Sequence, residues 1–183
     1  MSDAEVLRNC DQFIRDIMNG TQSDGYIGAL SVGTYFRHDV YKYAPYKGKR
    51  EEKPDWYKRW SELIILHMNR IWKFYIIAGA EADDVICACM FSLRAQGIDG
   101  IVCSPDKDLK QVPGLRYDYR LLEEGSTVAP MVSMIEPDVA EKFFWTQMLT
   151  GDSEDNVAGI PGLGPVKVAK LFEDLVSIQW PTM

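Results

Sequence analysis

The chain has 183 residues, with 20 Lys and Arg against 27 Asp and Glu, a formal net charge of −7 and 46% hydrophobic residues. A charged fraction of 26% with 11% aromatics excludes a disordered or collagen-like chain, and the length suits one domain with at most a small appendage. The apolar runs are far too short to span a bilayer, the first residues lack the basic and apolar regions of a signal peptide, and four cysteines without CxxC spacing beside two histidines disfavour zinc, so a cytoplasmic protein with no membrane partner is expected.

Ser2 and Glu5 form a capping-box signature for a first helix, with Val6, Phe13, Ile14 and Ile17 on its apolar face and a polar run from Thr21 ending it. A strand is expected over 26–32, then a basic, aromatic loop. Pro54 suits the first position of a helix running to about Asn69. A short apolar strand over 73–78 leads into a helix from Glu81 that Gly97 stops, and a strand over 100–104 runs into PDKDLKQV. Less regular strands are expected over 116–122 and 126–131, a helix over 136–150, and a Gly/Pro turn before a last helix opening at Pro165. This alternation implies an α/β fold, a parallel sheet with helices on its faces. A boundary near Ile135 divides it into a sheet domain, 1–135, and a small helical module, 136–183.

Charge is unevenly distributed. The segment 37–59 holds eight Lys/Arg and four Asp/Glu, a local +4 that leaves −11 for the remainder of the chain. One basic segment on an acidic body suits a polyanion binder whose carboxylates are neutralised by cations, and equally a solvated charged loop.

Three acidic clusters lie at element ends: Glu81, Asp83 and Asp84; Asp106 and Asp108; Asp152 and Asp155. In a parallel α/β sheet the strand ends share the edge where ligands bind. Each cluster alone could simply cap a helix or a turn. Seven carboxylates in one crevice would repel each other unless cations were bound, and oxygen-only ligands select Mg²⁺ or Mn²⁺. Two such ions about 4 Å apart are the usual clamp for phosphodiester hydrolysis. Gly159, Gly162 and Gly164 punctuate a turn before the last helix, where backbone N–H groups with Lys167 and Lys170 could grip a phosphate; a plain helix–helix connector is the alternative. In the basic loop Arg37, Lys42, Lys47, Lys49 and Arg50 interleave with Tyr35, Phe36, Tyr41, Tyr43 and Tyr46, which suits single-stranded nucleic acid or an ordered loop with tyrosines packed beneath it.

The segments FRHDVYKYAPYKGKR, EADDVI, SPDKDLKQV and TGDSEDNVAGIPGLGPVKVAKLF, in this order, resemble the 5′-nuclease (flap endonuclease) family, which includes phage 5′–3′ exonucleases and the nuclease domain of bacterial DNA polymerase I. The resemblance covers about 35–175. It implies a PIN-like fold with a helix–three-turn–helix module, and divalent-metal hydrolysis of DNA near 5′ ends and flap junctions in replication and repair. It makes Glu81, Asp83, Asp84, Asp106, Asp108, Asp152 and Asp155 the metal ligands. Arg37, Lys47 and Arg50 become the basic positions near the scissile phosphate and the threading gateway. It also implies K⁺ held in the hairpin by backbone carbonyls around Val157 and Ile160. Family members open with a strand ending in a metal-binding Asp, whereas this chain starts at the helix that usually follows, and Val32 stands where a second Asp often lies. A fragment or half of a split enzyme is therefore expected, with another polypeptide supplying that strand. The alternative is a DNA-binding protein without turnover; a PIN-like ribonuclease is a weaker third.

Overall fold

The computed structural model describes residues 2–119 and 131–177. Helix α1, Asp3–Thr21, starts where the sequence places it: Ser2 Oγ accepts the Glu5 N–H while Glu5 Oε2 accepts the Ser2 N–H at 2.6 Å. Val6 and Ile14 are buried on the face towards α3, Asp55–Arg70. The α1–α3 pair is pinned by Asp11, whose Oδ1 lies 2.6 Å from His67 Nε2 and accepts the Trp72 indole N–H at 2.7 Å. Pro54 is the cap of α3 rather than its first residue.

Between them the expected loop contains a short helix, α2, Phe36–Val40. Its signal is His38, whose Nδ1 accepts the Tyr35 N–H at 3.3 Å and closes the first turn. The expected strands 26–32 and 73–78 shrink to single parallel bridges. Ala29 pairs with Tyr75 and Tyr35 with Gly79, through Leu30 N–H to Tyr75 O and Phe36 N–H to Gly79 O. Tyr26, Ile27, Tyr75, Ile76 and Ile77 stay exposed, so these apolar segments have no layer to lie against and pair only where their paths cross.

Helix α4, Ala82–Ala95, leads to β1, Ile101–Cys103, then a 3₁₀ turn, Lys107–Gln111, and β2, Gly114–Tyr117. Strand β3, Val132–Ile135, lies beyond the stretch where the sequence suggested one; residues 120–130, which hold all of the expected strand over 126–131 except Met131, fall outside the described residues. The three strands form one sheet in order β1–β2–β3, parallel between β1 and β2 but antiparallel between β2 and β3, so the sheet is mixed. The wholly parallel expectation fails at β3, which runs antiparallel to β2 from Gly114↔Ile135 to Tyr117↔Val132.

Val102, Leu109 and Val112 make the core of this layer, with Ile86, Cys87 and Met90 of α4 packed on it. Fully burying each such aliphatic side chain stabilises by roughly 1.5–3 kcal/mol, which fixes α4 and the 3₁₀ turn to β1. Helix α5, Pro137–Thr150, packs on the 3₁₀ turn and on α6, Pro165–Ser177, whose Val168 is wholly buried. Between α5 and α6 the chain forms a small hairpin of β4, Gly151–Asp152, and β5, Val157–Ala158, in place of a plain turn.

Candidate metal and phosphate site

The first acidic cluster is built by the start of α4. Glu81 is the cap residue, and its N–H is accepted by Asp84 Oδ2 at 2.9 Å, so the capping alternative holds locally. Capping is only part of its work. Arg37, held on α2, grips Asp84 with two bonds of 2.7 Å and reaches Glu81 Oε2 at 3.0 Å. Glu81 is only 4% exposed and also accepts from the Tyr46 hydroxyl at 2.8 Å and from the Lys47 ammonium. Burial would raise Asp84, but the Arg37 guanidinium and the Glu81 N–H outweigh it and hold the carboxyl below its ordinary range. Asp83 faces the other way, and burial, with the negative charges of Asp84 and Glu81, pushes it up despite Arg37.

The second cluster follows β1. Ser104 Oγ accepts the Asp106 N–H at 3.1 Å, and Asp106 Oδ1 accepts the Asp108 N–H at 2.9 Å, so Asp106 caps the 3₁₀ turn that presents Asp108. Burial and the neighbouring Asp106 charge push Asp108 up. The third cluster sits on the β4–β5 hairpin. Asp152 Oδ1 accepts the N–H groups of Glu154 and Asp155 at 2.8 and 3.3 Å, and Lys107 lies 3.4 Å from Oδ2; these, with Gln147, outweigh burial and hold Asp152 low. Asp155 accepts from Tyr46 and from Arg50, each at 2.7 Å.

These pieces enclose a cleft of about 590 Å³. Asp83, Asp108, Asp152 and Asp155 line it with Arg37, Tyr46 and Gln147. Three segments far apart in sequence thus send carboxylates to one place. Glu81 and Asp84 lie behind it in the Arg37 network, and Asp106 lies behind Asp108 as its cap. Among the described residues no three of these carboxylates form a group that could hold a metal ion as they stand. The donor chemistry nevertheless fits a hard divalent cation: the acids lining the cleft offer oxygen alone, and burial, with smaller contributions from neighbouring carboxylates, raises the proton affinity of Asp83 and Asp108, a penalty that a bound cation relieves.

Gln147 and Tyr46 were missed as site residues. Gln147 Nε2 donates to Asp108 Oδ1 at 2.8 Å and to Asp152 Oδ2 at 3.2 Å, bridging the second and third clusters from α5. Tyr46, one of the aromatics interleaved with the basic loop, is buried beneath it and joins Glu81 to Asp155. Its adjacency to Lys47 is the only sequence signal. The loop is fastened to the hairpin by further bonds: Lys47 N–H to Asp155 O at 3.0 Å, Tyr41 Oη to Asn156 O at 3.2 Å, and Asn156 Nδ2 to Pro45 O at 3.0 Å. Tyr43 and Phe36 remain exposed on it.

The glycine turn follows directly on β5, whose Val157 and Ala158 line the cleft. Gly159 presses on the backbone of Thr150, where a Cβ would lie 2.1 Å from its carbonyl carbon, whereas Gly164 faces open space. Gly162 takes a positive φ of 76°. Lys167 folds back, donating from Nζ to Gly162 O at 2.7 Å, while Lys170 is exposed. Val157 borders the acidic cleft, and the Ile160 carbonyl accepts the Leu163 N–H at 3.0 Å.

The family profile described as 5'-3' exonuclease, N-terminal resolvase-like domain, matches residues 4–143. DNA polymerase I of Rhizobium leguminosarum is 35% identical over 148 residues, which cover 76% of this chain and 14% of that protein. For DNA polymerase I of Bacillus subtilis (strain 168) the figures are 31% over 156 residues, 80% and 17%. The chain therefore spans less than a fifth of the length of these relatives. The bacteriophage T5 flap endonuclease, solved as a pseudo-enzyme–product complex with DNA and metal ions, superposes with a TM-score of 0.68 at 16% identity, covering 96% of this chain and 72% of that one. The T5 protein co-crystallised with metal ions gives 0.65 at 18%, covering 92% and 66%. At such identity the structural likeness speaks for the fold, a mixed α/β arrangement of helices and small sheets. On the sequence match, the chain belongs to the 5′–3′ exonuclease family, as its N-terminal resolvase-like domain.

Proposed function

We propose that this domain is a divalent-metal-dependent nuclease that hydrolyses DNA phosphodiesters near 5′ ends and flap junctions. The observation that carries the reading is the cleft in which Asp83, Asp108, Asp152 and Asp155 converge with Arg37, while Lys47 and Arg50 pair with Glu81 and Asp155. Mg²⁺ or Mn²⁺, two ions in this reading, would supply Lewis-acid charge and water activation when bound. Asp83, Asp108, Asp152 and Asp155 would hold them, with Glu81, Asp84 and Asp106 behind as supports or further ligands. Lys47 and Arg50 already sit against these acids and would bind the phosphate and meet the negative charge that develops on it. Catalysis would then need no covalent intermediate.

In the same reading the hairpin and the start of α6, from Gly159 to Lys170, grip a duplex backbone without reading its sequence, as part of a helix–three-turn–helix module over 136–183. K⁺ between that turn and a phosphate, held by carbonyls near Val157 and Ile160, belongs to this proposal. The solved phage relative carries DNA and metal ions, which supports the choice of DNA. The working place would be the cytoplasm of a bacterial or phage-infected cell.

A second reading has its own observation. Among the described residues, the bridged segments around Ala29 and Tyr75 are not joined to the β1–β2–β3 sheet, and Tyr75, Ile76 and Ile77 are exposed. An extended strand from elsewhere in the polypeptide, or from a partner, would complete the sheet, and without it the domain would bind DNA without turnover.

The test is cleavage of a labelled 5′-flap duplex with Mg²⁺ or EDTA, run beside Asp108→Ala and Asp155→Ala. Metal-dependent cutting lost in both variants is expected. Tight flap binding with no cutting would favour the second reading, and neither binding nor cutting would overturn both.

A further inference from the structure

The loop that carries the second acidic pair is held from beneath by a residue outside the cleft. Arg116 lies in the middle of β2, paired with Val102 of β1 and Ser133 of β3, and is only 5% exposed. Burying a guanidinium costs several kcal/mol unless good acceptors receive it. Arg116 Nη2 donates to the backbone carbonyl of Asp106 at 2.8 Å. That carbonyl belongs to the peptide between Asp106, whose side chain caps the 3₁₀ turn, and Lys107, whose ammonium lies 3.4 Å from Asp152. Rotating that peptide would turn Asp106, Lys107 and Asp108 together. Ser104 N–H, bonded to Tyr117 O at 3.2 Å, holds the near end of the loop to the sheet, and buried Leu109 and Val112 hold the far end. Between them the Asp106 carboxylate is a restraint that moves with the loop, and Arg116 fixes the Asp106–Lys107 peptide.

We propose that Arg116 is the positioning residue of the second acidic pair, fixing the Asp106–Lys107 peptide so that Asp108 faces Asp152 across the cleft. The inference rests on the metal-nuclease reading for its consequence, but its geometry is independent of it. Partners that orient metal-holding side chains typically change metal affinity 10–100-fold when removed.

The test uses Arg116→Met and the shorter Arg116→Gln, with circular dichroism and thermal melts to certify the fold. Amide hydrogen exchange over 104–111 is measured in EDTA, and Mn²⁺ affinity is measured without DNA by titration calorimetry. The expected result is exchange accelerated about tenfold in that segment alone and a Mn²⁺ Kd raised about 10-fold or more, with flap cleavage in the Gln variant recovering at high Mg²⁺. Unchanged exchange, or unchanged Mn²⁺ affinity in a folded variant, overturns it. Loss of the fold in both variants also overturns it, since Arg116 would then serve general stability. If the wild-type chain bound no Mn²⁺, the metal reading would fail separately, and the exchange result alone would decide whether Arg116 positions the loop.

Discussion

Tyr46 Oη lies 2.7 Å from Asp155 Oδ2, joining the basic loop to the β4–β5 hairpin across 109 positions of sequence. The same oxygen is 2.8 Å from Glu81 Oε2. A phenol has one proton, so it satisfies one carboxylate at a time, and burial together with both acids pushes its own ionisation far up. The hydroxyl is thus a fixed neutral donor between two clusters. In Tyr46→Phe the ring stays and the donor goes, leaving two acids to repel. A loss of about 1–3 kcal/mol is expected in urea unfolding without metal. Flap cleavage should shift to a higher Mg²⁺ requirement; unchanged stability and metal dependence would show that the bridge contributes nothing.

The Arg37–Asp84 fork is the strongest ion pair in geometry, with two bonds of 2.7 Å and both side chains between a quarter and a third exposed. It stands between surface pairs, worth under about 1 kcal/mol, and buried ones, whose rupture costs about 3–5 kcal/mol. A double-mutant cycle of Arg37→Met and Asp84→Asn should give a coupling of about 2 kcal/mol. Arg37→Lys should recover less than half of it, since an ammonium cannot make the planar fork.

Acid changes stability in two opposed steps in the metal-free protein. Asp83 and Asp108 lie above the ordinary value of 3.8, so the folded state binds their protons more tightly than the unfolded one. Their penalty is present at neutral pH and is relieved as pH falls through those raised values. Asp84, Asp152 and Asp11 lie below 3.8, and their contribution, complete above that value, is lost as pH falls through their lowered ones. Urea midpoints in EDTA should therefore rise from pH 7 into mildly acid solution and collapse below about pH 4. Asp83→Asn should melt higher than wild type at pH 7, since it removes a buried charge, while losing metal affinity. A lower melting point would refute the penalty on the buried Asp83 charge.

Two glycines, eight and three residues before Lys167, separate packing from recognition on the hairpin. Gly159→Ala places a methyl inside the Thr150 backbone and should cost more than 2 kcal/mol and weaken duplex binding with it. Gly164→Ala meets open space and should melt within 2 °C of wild type. Melting curves and fluorescence anisotropy on duplex DNA check both; equal behaviour of the two variants would contradict the packing.

The sequence alone determined the helices α1, α4, α5 and α6, because caps such as Ser2 with Glu5, and Pro137 and Pro165 at first turns, are local signals between residues a turn apart. It also determined which residue types gather at element ends, and hence the family, because those motifs are contiguous. Only the tertiary structure decided which carboxylates face the cleft. Asp83 and Asp84 are neighbours in sequence, yet one lines the cleft and the other is held by Arg37, 47 positions away. The same holds for Gln147, Tyr46 and Arg116, polar residues whose partners lie 39, 109 and 10 positions off and are chosen by burial rather than by spacing. Strand pattern was the weakest guide: alternation marks an extended segment, but whether it becomes β1 or a lone bridge at Ala29 depends on the neighbour beside it, which no local pattern encodes.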